Sequence, residues 1–265
     1  MLTFNSEKTL RRALESVKGF DDILLLDGGS IDGTFKIAEE YGARIVVQDP
    51  KYNYPDSNRL ADAGGARNQM MNAAKHDWYL WIDSDESVSQ GLYDDVARIA
   101  RSPYKEGNPL AYRVPIRMFI DDRLIKYSSN YPGYQFRFFN KKSGGHLTKR
   151  VHNRIKFDPD TVIGTLKNPW YVYVDSKDFK IFGGVWKSYR RAEIEQAAGR
   201  PFLDFMRTII WFHLRAATGV TLKSLYNYLR HGFRDTMPIS VELWRILSLF
   251  ALMYNATIYR FKKSI

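Results

Sequence analysis

The chain of 265 residues has no cysteine, so it holds no disulfide framework, and this fits a reducing compartment. It also lacks a long apolar run. The longest uncharged stretch near the end, Ile246–Tyr259, is 14 residues, short of the roughly 20 that a spanning helix needs. No basic segment followed by an apolar one stands at the start, so no export signal is read there. There is no internal repeat and no low-complexity segment. Acidic residues are scarce in the last third: residues 177–265 hold 15 Lys/Arg against 6 Asp/Glu, net +9, while residues 1–176 hold 25 against 23, net +2. A nearly neutral body with a basic tail implies an anionic surface as partner. The tail interleaves its charges with apolar stretches, which favours a membrane over nucleic acid.

The length suits one large α/β domain with an appendage. Residues 8–18 place Leu10, Leu14 and Val17 at helical spacing, and Asp22–Asp27 is a short apolar run expected to be a buried strand. Gly28-Gly29-Ser30 turns the chain, and Asp32-Gly33-Thr34 opens a helix that Gly42 ends. Ala43–Val47 reads as the next strand. This strand–helix–strand rhythm predicts a mostly parallel sheet flanked by helices. A polar loop over 49–62 leads to Gly64-Gly65-Ala66-Arg67-Asn68 and a helix to about Lys75, then a strand at 78–82 and a helix near 91–101. Residues 110–175 read as strands, among them Ala111–Phe119, Tyr134–Phe139, Val151–Phe157 and Trp170–Val174. A helix is expected from about Phe182 to Ala198, and the remainder is helical.

Asp83-Ser84-Asp85 follows the apolar run Trp78–Ile82. In an open α/β sheet, ligands bind beyond the carboxyl ends of strands. Two hard-oxygen ligands there suit a Mg²⁺ or Mn²⁺ ion that also holds a diphosphate. Asp27, also at a strand end, is placed to accept from a donor N–H such as N3 of uracil, and Ser30 or Asp32 to cap the following helix. Arg67 and Asn68 begin a helix, and a guanidinium there matches phosphate oxygens. Glu86 reads as a helix start that favours the helix dipole.

Four pieces stand in order: Thr3-Phe4-Asn5-Ser6-Glu7, Asp27-Gly28-Gly29-Ser30-Ile31-Asp32-Gly33-Thr34, Ala66-Arg67-Asn68 and Asp83-Ser84-Asp85-Glu86. In these the chain resembles the family 2 glycosyltransferases, inverting enzymes of GT-A fold. The subgroup it is most similar to is the small bacterial enzymes that add sugars to the lipopolysaccharide core. These share the Asp-Glu extension, a later strand matched here by Arg137-Phe138-Phe139, and a turn matched by Val151-His152-Asn153. The resemblance covers about residues 1–175. It implies a GT-A domain whose nucleotide-sugar half is about 1–100 and whose acceptor half is about 101–175, followed by a basic helical extension at 176–265. It implies a UDP-linked donor held by Thr3, Asn5, Glu7, Asp27, Gly28, Ser30, Arg67, Asn68, Asp83 and Arg137. Asp85 takes the metal, with Asp83 beside it. Arg150 is a further candidate for the diphosphate or an anionic acceptor. No Gly-rich, basic loop follows Thr3, which argues against a nucleotidyltransferase on a similar sheet.

The chain departs from the subgroup at Asn153, which stands where those enzymes have Glu. An amide is no general base near neutral pH, so the base falls to His152, with its unperturbed pKa of about 6.5, or to Asp121, Asp122 or Asp158. A second departure is that only Met1 and Leu2 precede the Thr3 turn, which predicts a stunted first strand. The reaction implied is metal-dependent, inverting transfer to a hydroxyl of a glycan or lipid-linked acceptor such as lipopolysaccharide core. Transfer to a polyprenyl phosphate is a rival, and so is an inactive nucleotide-binding module. The tail has two amphipathic stretches, Phe202–Leu214 and 239–259. Lying in the membrane interface is the expectation for them, with the protein peripheral at the cytoplasmic face.

Overall fold

A computed structural model of the chain describes residues 1–54, 60–148, 155–178, 194 and 197–262. The helix expected over 182–198, the turn Val151-His152-Asn153 and Arg150 lie wholly or mostly outside these. Two compact units are formed, one by Met1–Arg117 with Pro132–Val172, the other by Met118–Tyr131 with Tyr173–Ile265. The segment 118–131, inside the stretch expected to be catalytic, thus belongs with the tail.

The first unit opens with β1 (Leu2–Thr3), α1 (Glu7–Glu15), β2 (Leu24–Asp27), α2 (Thr34–Glu40) and β3 (Arg44–Val47). These strands form a parallel sheet in the order β1-β2-β3. Every residue of β2 is buried, which is why it reads as a continuous apolar run rather than an alternating one. Helix α1 turns Leu10, Ala13 and Leu14 inward and its charges outward. Then come α3 (Ala63–Ala73), β4 (Trp78–Leu80), β5 (Glu86–Val88) and α4 (Gln90–Arg101). Asp62 caps α3 by accepting from the Gly65 N–H at 2.9 Å, and Ser89 caps α4 by accepting from Leu92 N–H at 3.1 Å. The residue after the Asp83 turn therefore starts a strand, not the expected helix, and α4 begins four positions later.

The parallel pattern stops there. Strands β6 (Ala111–Ile120), β7 (Arg123–Ile125), β8 (Tyr134–Asn140), β9 (His146–Leu147), β10 (Ile155–Lys156), β11 (Ile163–Thr165) and β12 (Trp170–Val174) complete the set. The larger sheet has the order β4-β8-β6-β12-β5, with β7 and β11 also on β6. The pairs β4–β8, β6–β8, β6–β7 and β5–β12 are antiparallel, and β6–β11 is parallel. The connections are the reason: β6 to β7 is a two-residue turn at Asp121-Asp122, too short for the crossover that parallel strands require. The fold is thus α/β with a mixed sheet. Two apolar clusters fill the unit, one around Leu10, Leu14, Leu25, Phe138 and Trp170, the other around Leu26, Met70, Tyr79 and Phe139. A cleft of about 890 Å³ lies among Met1, Leu24, Trp78, Leu80 and Phe138.

In the second unit, α5 (Phe202–Phe205) runs through a π-helical turn (Met206–Trp211) into α6 (Phe212–His231), and α7 (Ile239–Lys262) packs against α6. Asp121 and Asp122 both have positive φ, 48° and 62°, as the turn type demands. The loop after β7 is pinned by Lys126, which pairs with Asp235 at 2.8 Å, and by a buried network. Glu242 accepts from Ser128 Oγ at 3.0 Å, from the Ser129 N–H at 2.9 Å and from Ser129 Oγ at 2.5 Å, and pairs with Arg245 at 3.1 Å. Among the described residues no helix is long and apolar enough to cross a membrane.

Candidate active site

The turn after β1 and the turn after β2 are laced together. Asp27 is 3% exposed, and its carboxylate accepts from Thr3 Oγ1 (3.0 Å), Ser30 Oγ (2.5 Å) and the N–H groups of Gly29 (2.9 Å) and Ser30 (2.7 Å). Gly29 has φ +94°, a conformation that favours glycine. Gly28 does not need the freedom: a Cβ there would meet only ordinary contacts at 3.6 Å. Asn5, at φ +49°, donates its N–H to Ser30 Oγ at 2.8 Å and accepts from the Ile31 N–H at 2.9 Å. Asp32 rather than Ser30 serves the helix starts, accepting from Thr34 N–H and Glu7 N–H, both at 3.0 Å. Glu7 in turn accepts from the Gly33 N–H at 3.2 Å. A hydroxyl pair, Ser6 with Ser84 at 2.9 Å, joins this platform to the acidic turn.

At that turn five charges meet. Arg67 grips both oxygens of Asp83, at 2.9 and 3.0 Å. Arg137 grips both oxygens of Glu86 at 3.0 Å and stands 4.0 Å from Asp83. Both guanidiniums lie over Trp81, at 4.3 and 4.7 Å, and Arg137 lies 3.8 Å from the Trp170 ring on another side. Arg137 reaches this place because β8 pairs with β4 and its carbonyl accepts from the Trp81 N–H at 3.0 Å. Asn68 is committed on both amide atoms to the backbone of Leu147, at 3.0 Å each way.

The charges shape one another. Burial pushes the Asp83 carboxyl up, but Arg67 and Arg137 outweigh it and hold it below the usual range. Glu86 is pushed up to about 7, by burial first and then by Asp83, in spite of its short bidentate pair with Arg137. The shift is upward because one guanidinium faces a buried carboxylate with two acidic neighbours. Asp85 is exposed at the rim, and its backbone carbonyl accepts from Arg12 at 3.2 Å. Its carboxyl is nonetheless raised, first by the protein crowded around it and then by the charge of Asp83. Asp83 and Glu86 are thus held by Arg67 and Arg137, and Asp85 faces outward.

That arrangement fits a divalent cation in a particular way. Among the described residues no three His, Asp or Glu gather to hold a metal unaided. Asp83 has both oxygens engaged, and Asp85 is the exposed, charge-crowded carboxylate that a cation relieves. A Mg²⁺ ion commonly takes one or two carboxylates and completes its shell with phosphates and water.

The other expected site residues are dispersed. Asp122 is in the turn of the second unit. Asp158 lies at the Ser143-Gly144 turn of the first, where its backbone N–H donates to Ser143 at 2.9 Å. His152 falls outside the described residues. Arg137, expected on the diphosphate, is 5% exposed with its fork taken by Glu86, so it acts on the site through Glu86 and Asp83. The sequence signalled neither Trp81 as the shared ring nor Glu86 as a buried partner, since both roles depend on Arg137, more than 50 positions away.

The sequence matches the family "Glycosyl transferase family 2" over residues 1–155. Among curated relatives, an uncharacterized glycosyltransferase of Rickettsia typhi is 28% identical over 171 residues, 60% of this chain and 52% of that protein. One of Rickettsia felis is 30% identical over 142 residues, 53% of this chain and 44% of that one. The matches thus span about half the length of these relatives. Among solved structures, residues 1–349 of S. aureus TarS align with a TM-score of 0.47 at 13% identity, over 96% of this chain and 79% of that chain.

Proposed function

The chain belongs to glycosyl transferase family 2, and on that premise we propose that it moves a sugar from a UDP-linked donor to a hydroxyl of a glycan or lipid-linked acceptor, with inversion. The observation that carries this reading is the acidic turn at the end of β4. It offers one outward, charge-crowded carboxylate, Asp85, beside Asp83 locked by Arg67. Asp85 would hold a Mg²⁺ or Mn²⁺ ion, with Asp83 fixing the turn. When bound, the ion supplies Lewis-acid stabilisation of the leaving diphosphate.

The chain's own residues do the rest. The Thr3–Glu7 and Asp27–Thr34 turns, rigid through their mutual hydrogen bonds, form the floor on which the nucleoside lies. Arg67 and Arg137 keep Asp83 ionised and, by stacking on Trp81, hold the turn at one height. Asn68 fixes α3 to β9, so that Arg67 cannot swing away. Inverting transfer needs a group to take the proton of the acceptor hydroxyl as it attacks the anomeric carbon. His152, Asp158 and Asp122 are the candidates for that base.

The acceptor is placed at the cytoplasmic face of a membrane, as lipopolysaccharide core or a polyprenyl-linked glycan. The basic character of residues 177–265 supports a lipid-linked over a free acceptor. The test is turnover of a panel of UDP-sugars by the purified protein with Mn²⁺. Release of UDP that is lost in Asp85→Asn supports the proposal. Binding of UDP without any release or transfer would make the chain a nucleotide-binding module instead.

A further inference from the structure

The helical pair α6–α7 is built with its polarity reversed. In a water-soluble hairpin the large apolar side chains meet in the seam and polar ones face out. Here the buried residues of α6 are Ala217, Ser224 and Asn227, a stripe of small and polar side chains at helical spacing. Those of α7 are Glu242 and Ala256. Outward stand Leu222, Leu225 and Leu229 along α6, the last 79% exposed, with Trp211 exposed in the π-helical turn before it. Along the other, Ile239, Leu243, Leu247, Phe250, Tyr254 and Phe261 follow at intervals of three, four and seven, and all are exposed. That spacing keeps them on one face for the length of the helix.

Charge follows the same plan. Glu242 is the single acidic residue on the two helices, and it is turned inward, satisfied by Ser128, Ser129 and Arg245. Arg215 and Arg230 stand exposed beside the apolar face. Residues 197–262 hold nine Lys/Arg against three Asp/Glu, net +6. Among the described residues, Ser224 Oγ and Asn227 Nδ2 are buried without a hydrogen-bond partner, while the inward carboxylate of Glu242 is fully partnered. Small residues in the seam and large apolar side chains outside are how helices are arranged when the surrounding solvent is lipid. Neither helix is long and apolar enough to cross a bilayer, so the pair lies within one leaflet's interface.

We propose that the α6–α7 hairpin is an interfacial membrane anchor that sinks its outward Leu, Trp and Phe side chains into a bilayer bearing anionic lipid. It rests on the reading of a lipid-linked acceptor above and names the element that brings the enzyme to it. The occupant is lipid and not a second copy of the chain, because the apolar face is flanked by cations with no exposed acid on either helix to answer them.

The test is flotation of the full chain with phosphatidylcholine vesicles containing phosphatidylglycerol, with UDP-sugar hydrolysis measured on the same samples. The wild-type protein floats, and less so on phosphatidylcholine alone or at high salt. Combining Leu225→Gln, Leu229→Gln and Leu247→Gln, all at exposed positions, cuts vesicle affinity by about a hundredfold. Thr218→Leu, which extends the stripe of α6, raises it. A wild-type protein that stays at the bottom of the gradient overturns the proposal. So does one that dimerises through the same leucines and ignores vesicles. Loss of hydrolysis with flotation intact would count against the transferase reading and leave the anchor standing.

Discussion

Asp85 is the proposed metal ligand, the outward carboxylate of the acidic turn. Asp85→Asn keeps the shape and removes the charge. It is expected to lower kcat/KM for a UDP-sugar with Mn²⁺ by about a hundredfold or more, and unchanged turnover would remove Asp85 from the site. Single variants also separate the candidate bases through the pH dependence of kcat/KM. If His152 is the base, the acidic limb lies near pH 6.5, roughly the unperturbed imidazole value. If Asp158 or Asp122 is the base instead, the corresponding Asp→Asn variant loses turnover and His152→Ala keeps it.

Two buried groups set opposing pH slopes in the metal-free protein. Glu86, pushed up to about 7 from 4.5, keeps in the folded state a proton that the unfolded chain has lost. Its contribution is therefore full below pH 4.5 and declines as pH rises through 7. The Met1 ammonium is buried against Leu24 and Met70 and lowered by that burial from 8.0 to about 5. The unfolded chain binds that proton first, so stability falls as pH drops from 8 toward 5. Glu86→Gln removes the first slope and leaves the second. Urea unfolding in EDTA should then show stability rising from pH 5 to 7 more steeply than in the wild type, by on the order of a few kcal/mol. Equal slopes would reject the assignment.

Among the elements, β1 is the weak one. It pairs with β2 at Leu26 and Asp27, and Met1, the residue before it, lines the cleft with Leu24 and Trp78. A short run of apolar residues added ahead of Met1 converts the buried ammonium into a peptide N–H and places side chains in the cleft. The expected result is a rise in melting temperature of about 5 °C and a flatter pH dependence below 8. An unchanged melting temperature would show that the cleft does not take an extended chain. Most elements were legible in the sequence. Strand β12 occupies the expected residues, and α1, β3, α3 and β8 differ only at their ends. Local apolar periodicity and capping chemistry carry that information. Glu86 misled because an acid after a turn commonly opens a helix. It lies instead in β5, held by a guanidinium from β8 that no local pattern announces.

For the whole molecule, the second unit depends on Glu242. The charge is buried and repaid by three hydrogen bonds and Arg245. Glu242→Ala leaves those donors and the guanidinium without their acceptor and should destabilise the unit by about 3–5 kcal/mol. Thermal unfolding followed by tail-helix signal would shift, while UDP affinity, on the proposal that its site lies in the first unit, should stay within about threefold. A parallel loss of UDP affinity would show that the two units do not act independently. The sequence by itself determined many of the strands and helices, the acidic turn at a strand end, the family and the basic tail, because each is written in neighbouring residues. Tertiary structure decided which carboxylate faces outward and which are gripped, that the second half of the sheet is mixed, and that the tail helices turn their leucines outward. Those outcomes depend on which distant strands and helices come to lie side by side, and periodicity shows that a helix has two faces without saying which is buried.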